Sequence, residues 1–382
     1  MGILVHGARK VDCDGIVGDF WFATDGSRIV ATGTGDDWRS HYSDVADRLH
    51  AGGRLVTPGF VDIHCHGGGG YSFEDGPSAI RAGMATHRAH GTTRTMVSFV
   101  AGGIRATLDR LSTVARLVEE DPLILGSHLE GPFLAPTRRG AHAEELLATP
   151  DEGTVSMLLE AGGRSLCQTT IAPELPGAIE AITVMAASGV TPAVGHTNAS
   201  EEVARAAFDA GARILTHAFN AMPGISHREP GPIIAAAADP RVTLEVIADG
   251  HHIHPDVVRA AFLLAPGRIA LVTDAMAAAG APDGPYRLGS LEVDVREGVA
   301  RVRGSETLAG STLTLDSALR YVTESCGIGL AEAVRAVTAT PATAVGRSGH
   351  LGRLAPGYLA DAVILSESLV VERVLAGGRF VL

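Results

Sequence analysis

Residues 55–70 read LVTPGFVDIHCHGGGG, an apolar run that ends in two histidines and four glycines. The run predicts a buried strand. Residues two apart in a strand point to the same face, so His64 and His66 present their imidazoles side by side. The glycines end the strand and leave space beside the rings. Neutral imidazoles at this spacing suit a borderline metal such as zinc. The alternative is a pair of ordinary histidines at a strand end. The rest of the chain decides between a metal site and this alternative.

From residue 55 onward, short apolar runs alternate with alanine-rich stretches of helical period. The predicted strands cover residues 55–64, 92–99, 123–129, 165–172, 190–195, 212–216, 242–248 and 268–273. Between them, helical patterns cover residues 76–90, 106–120, 176–189, 201–210 and 254–264. Eight buried strands separated by helices are typical of an α/β fold, the closed (β/α)8 TIM-like barrel. The competing fold is a doubly wound open sheet. It normally carries a glycine-rich phosphate turn after its first strand, where this chain has the His-Cys-His segment.

The two ends of the chain have a different pattern. Residues 1–54 and 347–382 hold short alternating segments punctuated by Gly and Asp, which predict antiparallel strands. Neither end is long enough to build a core alone, so we expect one small β-sandwich domain made from both. The catalytic barrel is then predicted over residues 55–346, with a hairpin-bearing insertion at residues 275–310 after the eighth strand.

The composition excludes several classes of protein. The formal net charge is −12 with no basic stripe, which argues against nucleic-acid and membrane partners. Lys10 is the single lysine, so a Walker phosphate loop and a Schiff-base lysine deep in the chain are excluded. The four cysteines are scattered without a Cys-x-x-Cys pair, and no apolar run reaches the length of a membrane helix. A reducing, cytoplasmic location is therefore predicted.

Polar side chains stand at the ends of five predicted strands. They are His64 and His66, Glu130, His196, His217 and Asp274. Each one taken singly has an ordinary alternative, such as a helix cap or a turn contact. A barrel, however, brings all five strand ends to one mouth, where the chemistry of this fold takes place. Five strands that each end in a possible metal ligand are hard to explain as independent accidents, so the pattern predicts an active site.

The residue types in this set indicate metal chemistry. Glu130, His196 and His217 make a three-ligand site with an open position, as expected for a catalytic metal. His64 and His66 can complete a second site, with Glu130 as the bridging carboxylate. Two divalent ions could generate hydroxide near neutral pH. Asp274, close to that water, would accept its proton and pass it to a leaving group.

Nine stretches of the chain carry a resemblance to a known family. They read PGFVDIHCHG (58–67), HLEGPF (128–133), RGAH (139–142), VGHT (194–197), THAFNAM (216–222), HREPG (227–231), ADGHH (248–252), VTDA (272–275) and LAGS (308–311). Taken in this order, they resemble the amidohydrolase superfamily and, more narrowly, the N-acetylglucosamine-6-phosphate deacetylase family. The resemblance covers nearly the whole chain.

The resemblance implies a role for each group at the mouth. It assigns Glu130, His196 and His217 to the principal metal. The two strand-one histidines allow a second ion, so one or two divalent ions per subunit are expected, with zinc first and iron, manganese or cobalt as alternatives. Asp274 would activate the water and then protonate the departing amine, while His142 would polarise the acetamide carbonyl. His128 shares a face with Glu130 and is expected to support the site.

The implied substrate is a small sugar phosphate. In this family the arginine equivalent to Arg228 reaches the neighbouring subunit's site, so a homodimer is expected, and its guanidinium fork suits phosphate. The other phosphate contacts would be the backbone N–H groups of Asn220 and Ala221 and the ring of His252. The expected lining of the sugar pocket comprises Ala141, Leu308, Ala309 and Gly310.

The expected reaction is hydrolysis of N-acetyl-D-glucosamine 6-phosphate to D-glucosamine 6-phosphate and acetate. One alternative is another hydrolase of the superfamily, a cyclic amidase or a deaminase, which would not need a phosphate contact from Arg228. The other alternative is a non-catalytic metal-binding oligomer, which would release no acetate with any divalent metal.

Overall fold

A parallel barrel forms the centre of the protein. The computed structural model describes residues 2–382. The barrel strands pair in chain order: Phe60–Asp62, Thr92–Val100, Ile124–Glu130, Leu166–Ile171, Thr191–Val194, Ile214–Leu215, Thr243–Val246 and Ile269–Leu271. Each neighbouring pair is parallel. At the open edge, the amide of Asp274 donates to the carbonyl of His64 at 2.8 Å and the amide of His66 donates to that of Ala275 at 2.8 Å. These two bonds close the barrel, and the predicted (β/α)8 fold is confirmed.

Helices cover the outside of the barrel. Those that follow barrel strands are Pro77–Ala89, Ile104–Glu120, Glu152–Gly162, Ala178–Ala187, Glu201–Ala210, Gly231–Ala238 and Pro255–Leu264. After the eighth strand come Leu315–Glu324, Leu330–Val337 and Ala339–Ala344, and a single turn, Arg39–Tyr42, lies near the N-terminus. Short 3₁₀ turns occur at Phe73–Asp75, Pro136–Arg138, Glu144–Leu146 and Gly163–Ser165. None of the helices in the described residues is both long and apolar enough to cross a membrane.

Burial explains why these segments adopt their two kinds of structure. All nine residues of Thr92–Val100 are buried, as expected for a barrel strand covered on both faces. The helix Ile104–Glu120 buries Thr107, Leu111, Val114 and Leu117, which recur at helical spacing along one stripe. The Ser200 side chain accepts a hydrogen bond from the amide of Val203 and caps the helix Glu201–Ala210.

The two chain ends meet in one second sheet, which is mostly antiparallel. Its strands run in the spatial order Arg379–Phe380, Val371–Ala376, Ala362–Leu365, Leu55–Pro58, Ile3–Asp12, Gly15–Asp25 and Arg28–Thr34. The strand Asp47–His50 also pairs with Ile3–Asp12, in parallel. The strands from residues 1–54 and 347–382 thus share one sheet, as expected. The limits of the two predicted domains remain a prediction.

The predicted strand at residues 55–64 is wrong in one respect, because the chain divides it at Gly59. Leu55–Pro58 pairs with Ala362–Leu365 in the end sheet, whereas Phe60–Asp62 opens the barrel. The amide of Gly59 donates to the carbonyl of Asp361 at 2.9 Å, and a Cβ at this position would collide with the side chains of Thr93 and Asp361. Only glycine lets the chain pass from one sheet to the other so closely.

Two smaller sheets complete the fold near the barrel mouth. Gly284–Leu288, Leu291–Arg296 and Val299–Val302 form an antiparallel three-stranded sheet in the predicted insertion. Gly67–Gly68 pairs with Tyr71–Ser72 directly after the two strand-one histidines. The three-stranded sheet packs a small apolar core of its own against Val100 and Met276, and this holds the insertion beside the mouth.

Candidate active site

The six strand-end residues predicted from the sequence converge at the barrel mouth. Glu130 is the last residue of its strand, and the others follow the ends of theirs by two to four residues. All six side chains are buried. Three of them, His196, His217 and Asp274, have positive φ angles of 47°, 28° and 47°. Non-glycine residues rarely adopt this backbone region, and such strain persists where the surrounding fold enforces a functional geometry.

Glu130 lies at the centre of the cluster. Its Oε1 is 3.0 Å from Nε2 of His217, 3.1 Å from Nε2 of His196 and 3.4 Å from Nε2 of His64. Its Oε2 is 3.3 Å from Nε2 of His66. Burial favours the protonated carboxyl group, but the field of His64 and a hydrogen bond from the ring of His142 hold the pKa of Glu130 well below its usual range. The carboxylate therefore reaches both predicted metal positions.

The outward ring nitrogens show which histidines can bind a cation. Nδ1 of His196 lies 2.8 Å from the carbonyl oxygen of Arg138, and Nδ1 of His64 lies 3.1 Å from Oε2 of Glu245. Both partners are acceptors, so each neutral ring carries its proton on Nδ1. Nε2 of each ring then directs a lone pair at the Glu130 carboxylate, which also has only lone pairs to offer. Lone pairs that face one another repel. A divalent cation bound between them would accept all of them as ligands, so the set suits a cation.

His142 has the opposite proton arrangement. Its Nδ1 accepts a hydrogen bond from the amide of Ala101 at 3.1 Å, so a neutral His142 carries its proton on Nε2. That Nε2 faces the cavity, 3.4 Å from Oε2 of Glu130. Burial lowers the pKa of His142, which favours the neutral ring. Although the position of His142 would allow it to join a metal site with Glu130 and His196, its tautomer makes it a hydrogen-bond donor.

Asp274 faces the two strand-one histidines. Its Oδ1 lies 3.4 Å from Nε2 of His64 and 3.3 Å from Nε2 of His66. Burial would raise the pKa of Asp274, but the field of His64 and a hydrogen bond from His66 outweigh it and lower the pKa. Conversely, although burial lowers the pKa of His66, its contacts with Asp274 and Glu130 raise it to about 9. The site is thus a strong attractor for positive charge, with Asp274 ionised and able to accept a proton.

Several residues that support the cluster were not predicted. Glu245 is fully buried, and its Oε1 accepts a hydrogen bond from Nε2 of Gln168 at 2.8 Å while its Oε2 contacts His64. A carboxylate in the middle of a strand buried on both faces is rare, and this was the signal in the sequence. His128, which was expected to support the site, is held by Ser98 at 3.0 Å and by Thr170 at 2.8 Å, and its ring packs edge-on against His64.

A cavity of about 330 Å³ opens above the cluster. The predicted substrate residues that line it are Ala141, Asn220, Ala221, His252, Leu308 and Gly310. The lining residues that the sequence did not predict are Thr137, Arg138, Gly140, Ile247, Leu288 and Thr307. The ring of His252 is held by Asp249, with Nδ1 and Oδ2 2.7 Å apart. Burial lowers the pKa of His252, but the Asp249 carboxylate raises it above the ordinary value.

Two predicted substrate residues do not line this cavity. The amide of Ala309 donates to the carbonyl of Ala300 at 3.1 Å, which draws Ala309 into the core of the three-stranded sheet, behind the wall formed by its neighbours. Arg228 is exposed on the segment between the sixth barrel strand and its helix. That placement agrees with a contact to a second subunit, which remains a prediction.

Comparison with known proteins gives consistent matches. The sequence profile of the amidohydrolase family matches residues 55–381. The N-acetylgalactosamine-6-phosphate deacetylase of Escherichia coli O157:H7 is 38% identical over 329 residues, which cover 85% of this chain and 87% of the relative. The N-acetylglucosamine-6-phosphate deacetylase of Vibrio furnissii is 33% identical over 343 residues, which cover 88% of this chain and 85% of the relative.

A solved structure extends the similarity to the entire fold. It is that of the N-acetyl-D-glucosamine-6-phosphate deacetylase from Mycobacterium smegmatis, in a mutant form bound to N-acetyl-D-glucosamine-6-phosphate. It matches with a TM-score of 0.94 and 41% identity, and the match covers 100% of this chain and 99% of that one.

Proposed function

Because the chain belongs to the amidohydrolase family, we propose that it hydrolyses the acetamide of N-acetyl-D-glucosamine 6-phosphate to D-glucosamine 6-phosphate and acetate. The observation that carries the proposal is the convergence of Glu130, four histidine Nε2 atoms and Asp274 at the base of one cavity. The names of the three relatives described above, each a deacetylase of an N-acetyl amino-sugar phosphate, support the substrate class.

The donor set suits one or two divalent ions per subunit. Glu130, His196 and His217 would hold the principal ion, and His64 and His66 would complete a second site with the same carboxylate. Zinc is the expected ion, with iron, manganese or cobalt as alternatives. When bound, the metal would lower the pKa of water and polarise the amide carbonyl.

The protein groups would carry out the proton transfers. The ionised Asp274 accepts a proton from the water as its oxygen bonds to the acetyl carbon. Nε2–H of His142 donates to the carbonyl oxygen, where negative charge develops. Asp274 then gives the proton to the amide nitrogen as the carbon–nitrogen bond breaks, so the amine leaves in neutral form and the acetyl group leaves as acetic acid. At neutral pH the acetic acid then loses its remaining proton to the product amine or to water and becomes acetate.

The cavity wall would bind the sugar and its phosphate. The backbone N–H groups of Asn220 and Ala221 and the ring of His252 would contact the phosphate, and Arg228 of a second subunit would complete the grip in a homodimer. Ala141, Leu308 and Gly310 would contact the sugar. A second candidate substrate is the galactosamine epimer, because a 38% identical relative is named for it.

The test is acetate release from both epimers by metal-reconstituted protein, with Asp274→Asn as the control. We expect turnover by the wild type and a loss of about 100-fold or more in kcat for the variant, the usual contribution of a general base. Equal inactivity of both proteins with every divalent metal would favour a non-catalytic metal-binding oligomer. Turnover of cyclic amides or aminated heterocycles, but of neither sugar phosphate, would favour another amidohydrolase activity.

The four cysteines are free, and the cytoplasmic location stays a prediction.

A further inference from the structure

Arg138 lines the candidate active-site cavity with an incompletely used guanidinium group. Its Nε donates to Oδ1 of Asn198 at 2.6 Å. Within residues 2–382, neither terminal nitrogen has a hydrogen-bond acceptor or a carboxylate partner. Asn198 is itself fixed, because its backbone N–H donates to Oε1 of Glu174 at 2.6 Å and its side-chain Nδ2 donates to Oγ1 of Thr137 at 2.6 Å. One edge of the guanidinium is therefore anchored, and the terminal N–H groups remain for a ligand.

The anchor places Arg138 beside the loop predicted to bind phosphate. The amide of Thr197, next to Asn198, donates to the carbonyl of Ala221 at 3.1 Å. This bond ties the Asn198 segment that holds Arg138 to the Asn220–Ala221 loop, and Arg138 and that loop line the same cavity. His252 lines it as well. The amide of Asn220 already donates to the carbonyl of His217 at 3.0 Å, so the free guanidinium edge and the backbone amide of Ala221 are the donors that border this space.

The charges of the cavity call for a cation at this place. Its base carries the carboxylates of Glu130 and Asp274, and the chain as a whole has a net charge of −12. The divalent ions proposed at the base would offset these carboxylates, so a phosphate bound at the cavity wall needs a cationic partner of its own there. Among the arginines of residues 2–382, Arg138 alone lines the cavity. Of the histidines that line the cavity, His142, His196 and His217 belong to the predicted catalytic and metal site, and His252 already pairs with Asp249.

We propose that Arg138 binds the substrate's phosphate from within the same subunit, by donating from its terminal N–H groups to phosphate oxygens. A guanidinium forms this contact with two parallel hydrogen bonds, which a lysine cannot reproduce. The inference rests on the proposed function and adds an anion contact that is independent of Arg228 from a second subunit. The backbone carbonyl of Arg138 also holds His196, but a change of the side chain leaves that bond in place.

The test compares Arg138→Gln and Arg138→Lys with Arg139→Gln. Arg139 is the matched control because it is exposed, does not line the cavity and pairs with Glu144 at 3.5 Å. We expect Arg138→Gln to raise KM for N-acetyl-D-glucosamine 6-phosphate by about 10-fold to 100-fold, the value of a lost charged hydrogen bond, with kcat changed by less than about threefold. Arg138→Lys should recover part of this loss. Arg139→Gln and the activity of each variant on unphosphorylated N-acetyl-D-glucosamine should match the wild type.

A binding measurement separates this inference from the proposed reaction. Calorimetry with D-glucosamine 6-phosphate and with unphosphorylated D-glucosamine needs no turnover, so it reports on Arg138 even if no acetate is released. A loss of affinity in Arg138→Gln that is confined to the phosphorylated sugar supports the inference. Unchanged affinity, or an equal loss for both sugars, overturns it. An unchanged Arg138→Gln beside a strongly weakened Arg228→Gln would assign the phosphate to the second subunit alone.

Discussion

Glu245→Gln removes one negative charge from beneath the metal cluster without changing the size of the side chain. In the wild type, Oε2 of Glu245 lies 3.1 Å from Nδ1 of His64 and accepts from the amide of His217 at 3.3 Å. The amide oxygen of a glutamine can keep both contacts. Its NH₂ group would face Gln168. The side-chain amide of Gln168 can flip and present its oxygen as an acceptor, because Oε1 of Gln168 has no other partner within residues 2–382. The variant therefore isolates the effect of charge.

The expected effect follows from the bond to His64. A hydrogen bond to a charged group is worth about 1.5–3 kcal/mol and a neutral one about 0.5–1.5 kcal/mol, so from the midpoints of these ranges this contact weakens by about 1.25 kcal/mol. The contact holds the proton on Nδ1 of His64 and leaves the Nε2 lone pair for a metal. We therefore expect the affinity for a divalent ion to fall by about tenfold, the lower end of the effect usual for such supporting residues.

The assay is a zinc titration against a competing chelator, with the metal-to-protein ratio measured in parallel. Asp316→Asn is the control, because Asp316 is another buried carboxylate, with its side chain 6% exposed, and it binds His90 and Arg320 on the outer face of the barrel. We expect the control to bind zinc like the wild type. Unchanged zinc affinity in Glu245→Gln, or the same loss in both variants, would refute the argument from charge.

Three further predictions concern the second metal position, the buried ion pair between the barrel and the end sheet, and the stability of the fold at low pH. His64→Ala should weaken binding of a second ion, leave the principal ion bound and reduce kcat by less than the loss in Asp274→Asn, as measured by metal analysis and acetate release; an empty site would contradict this. Arg94→Met breaks a buried ion pair with Asp361, whose shorter contact is 2.6 Å, and should lower the free energy of unfolding by about 3 kcal/mol or more. Urea unfolding measures this loss, and the Arg94→Met and Asp361→Leu double variant should recover part of it. Although burial raises the pKa of Asp316, contacts with His90, Thr314 and Arg320 lower it from 3.8 to about 2. Because the folded pKa is depressed, the ionised form contributes about 2 kcal/mol above pH 4 that is lost between pH 4 and pH 2. Asp316→Asn should flatten the stability profile of the chain in that window.

The barrel and its metal cluster were predictable because both follow from regular patterns. Strands buried on both faces appear as continuous apolar runs, and a parallel barrel brings their carboxyl ends together whatever the details of packing. A residue such as His196 or Asp274 at the end of a run could therefore be assigned to the mouth before any contact was known. The positive φ angles at these two residues add a feature that spacing alone does not reveal.

Other features depend on contacts between distant parts of the chain. The division of residues 55–64 at Gly59 depends on Asp361, which lies some three hundred residues away in sequence. Ala309 lies in a matching motif, yet its backbone bond to Ala300 turns it away from the cavity. Glu245 was hidden because the surrounding residues 242–248 read as an apolar strand, and its partner His64 comes from the opposite edge of the barrel sheet.

The roles of the histidines are fixed by the groups behind the rings. The carbonyl of Arg138 places the proton of His196 on Nδ1, Glu245 does the same for His64, and the amide of Ala101 places the proton of His142 on Nε2. These three partners come from different segments, so the pattern of ligands and donors arises only when the barrel closes. A substitution behind a ring can therefore convert a ligand into a donor while every ligand residue is retained, and Glu245→Gln is the least disruptive change that probes this dependence.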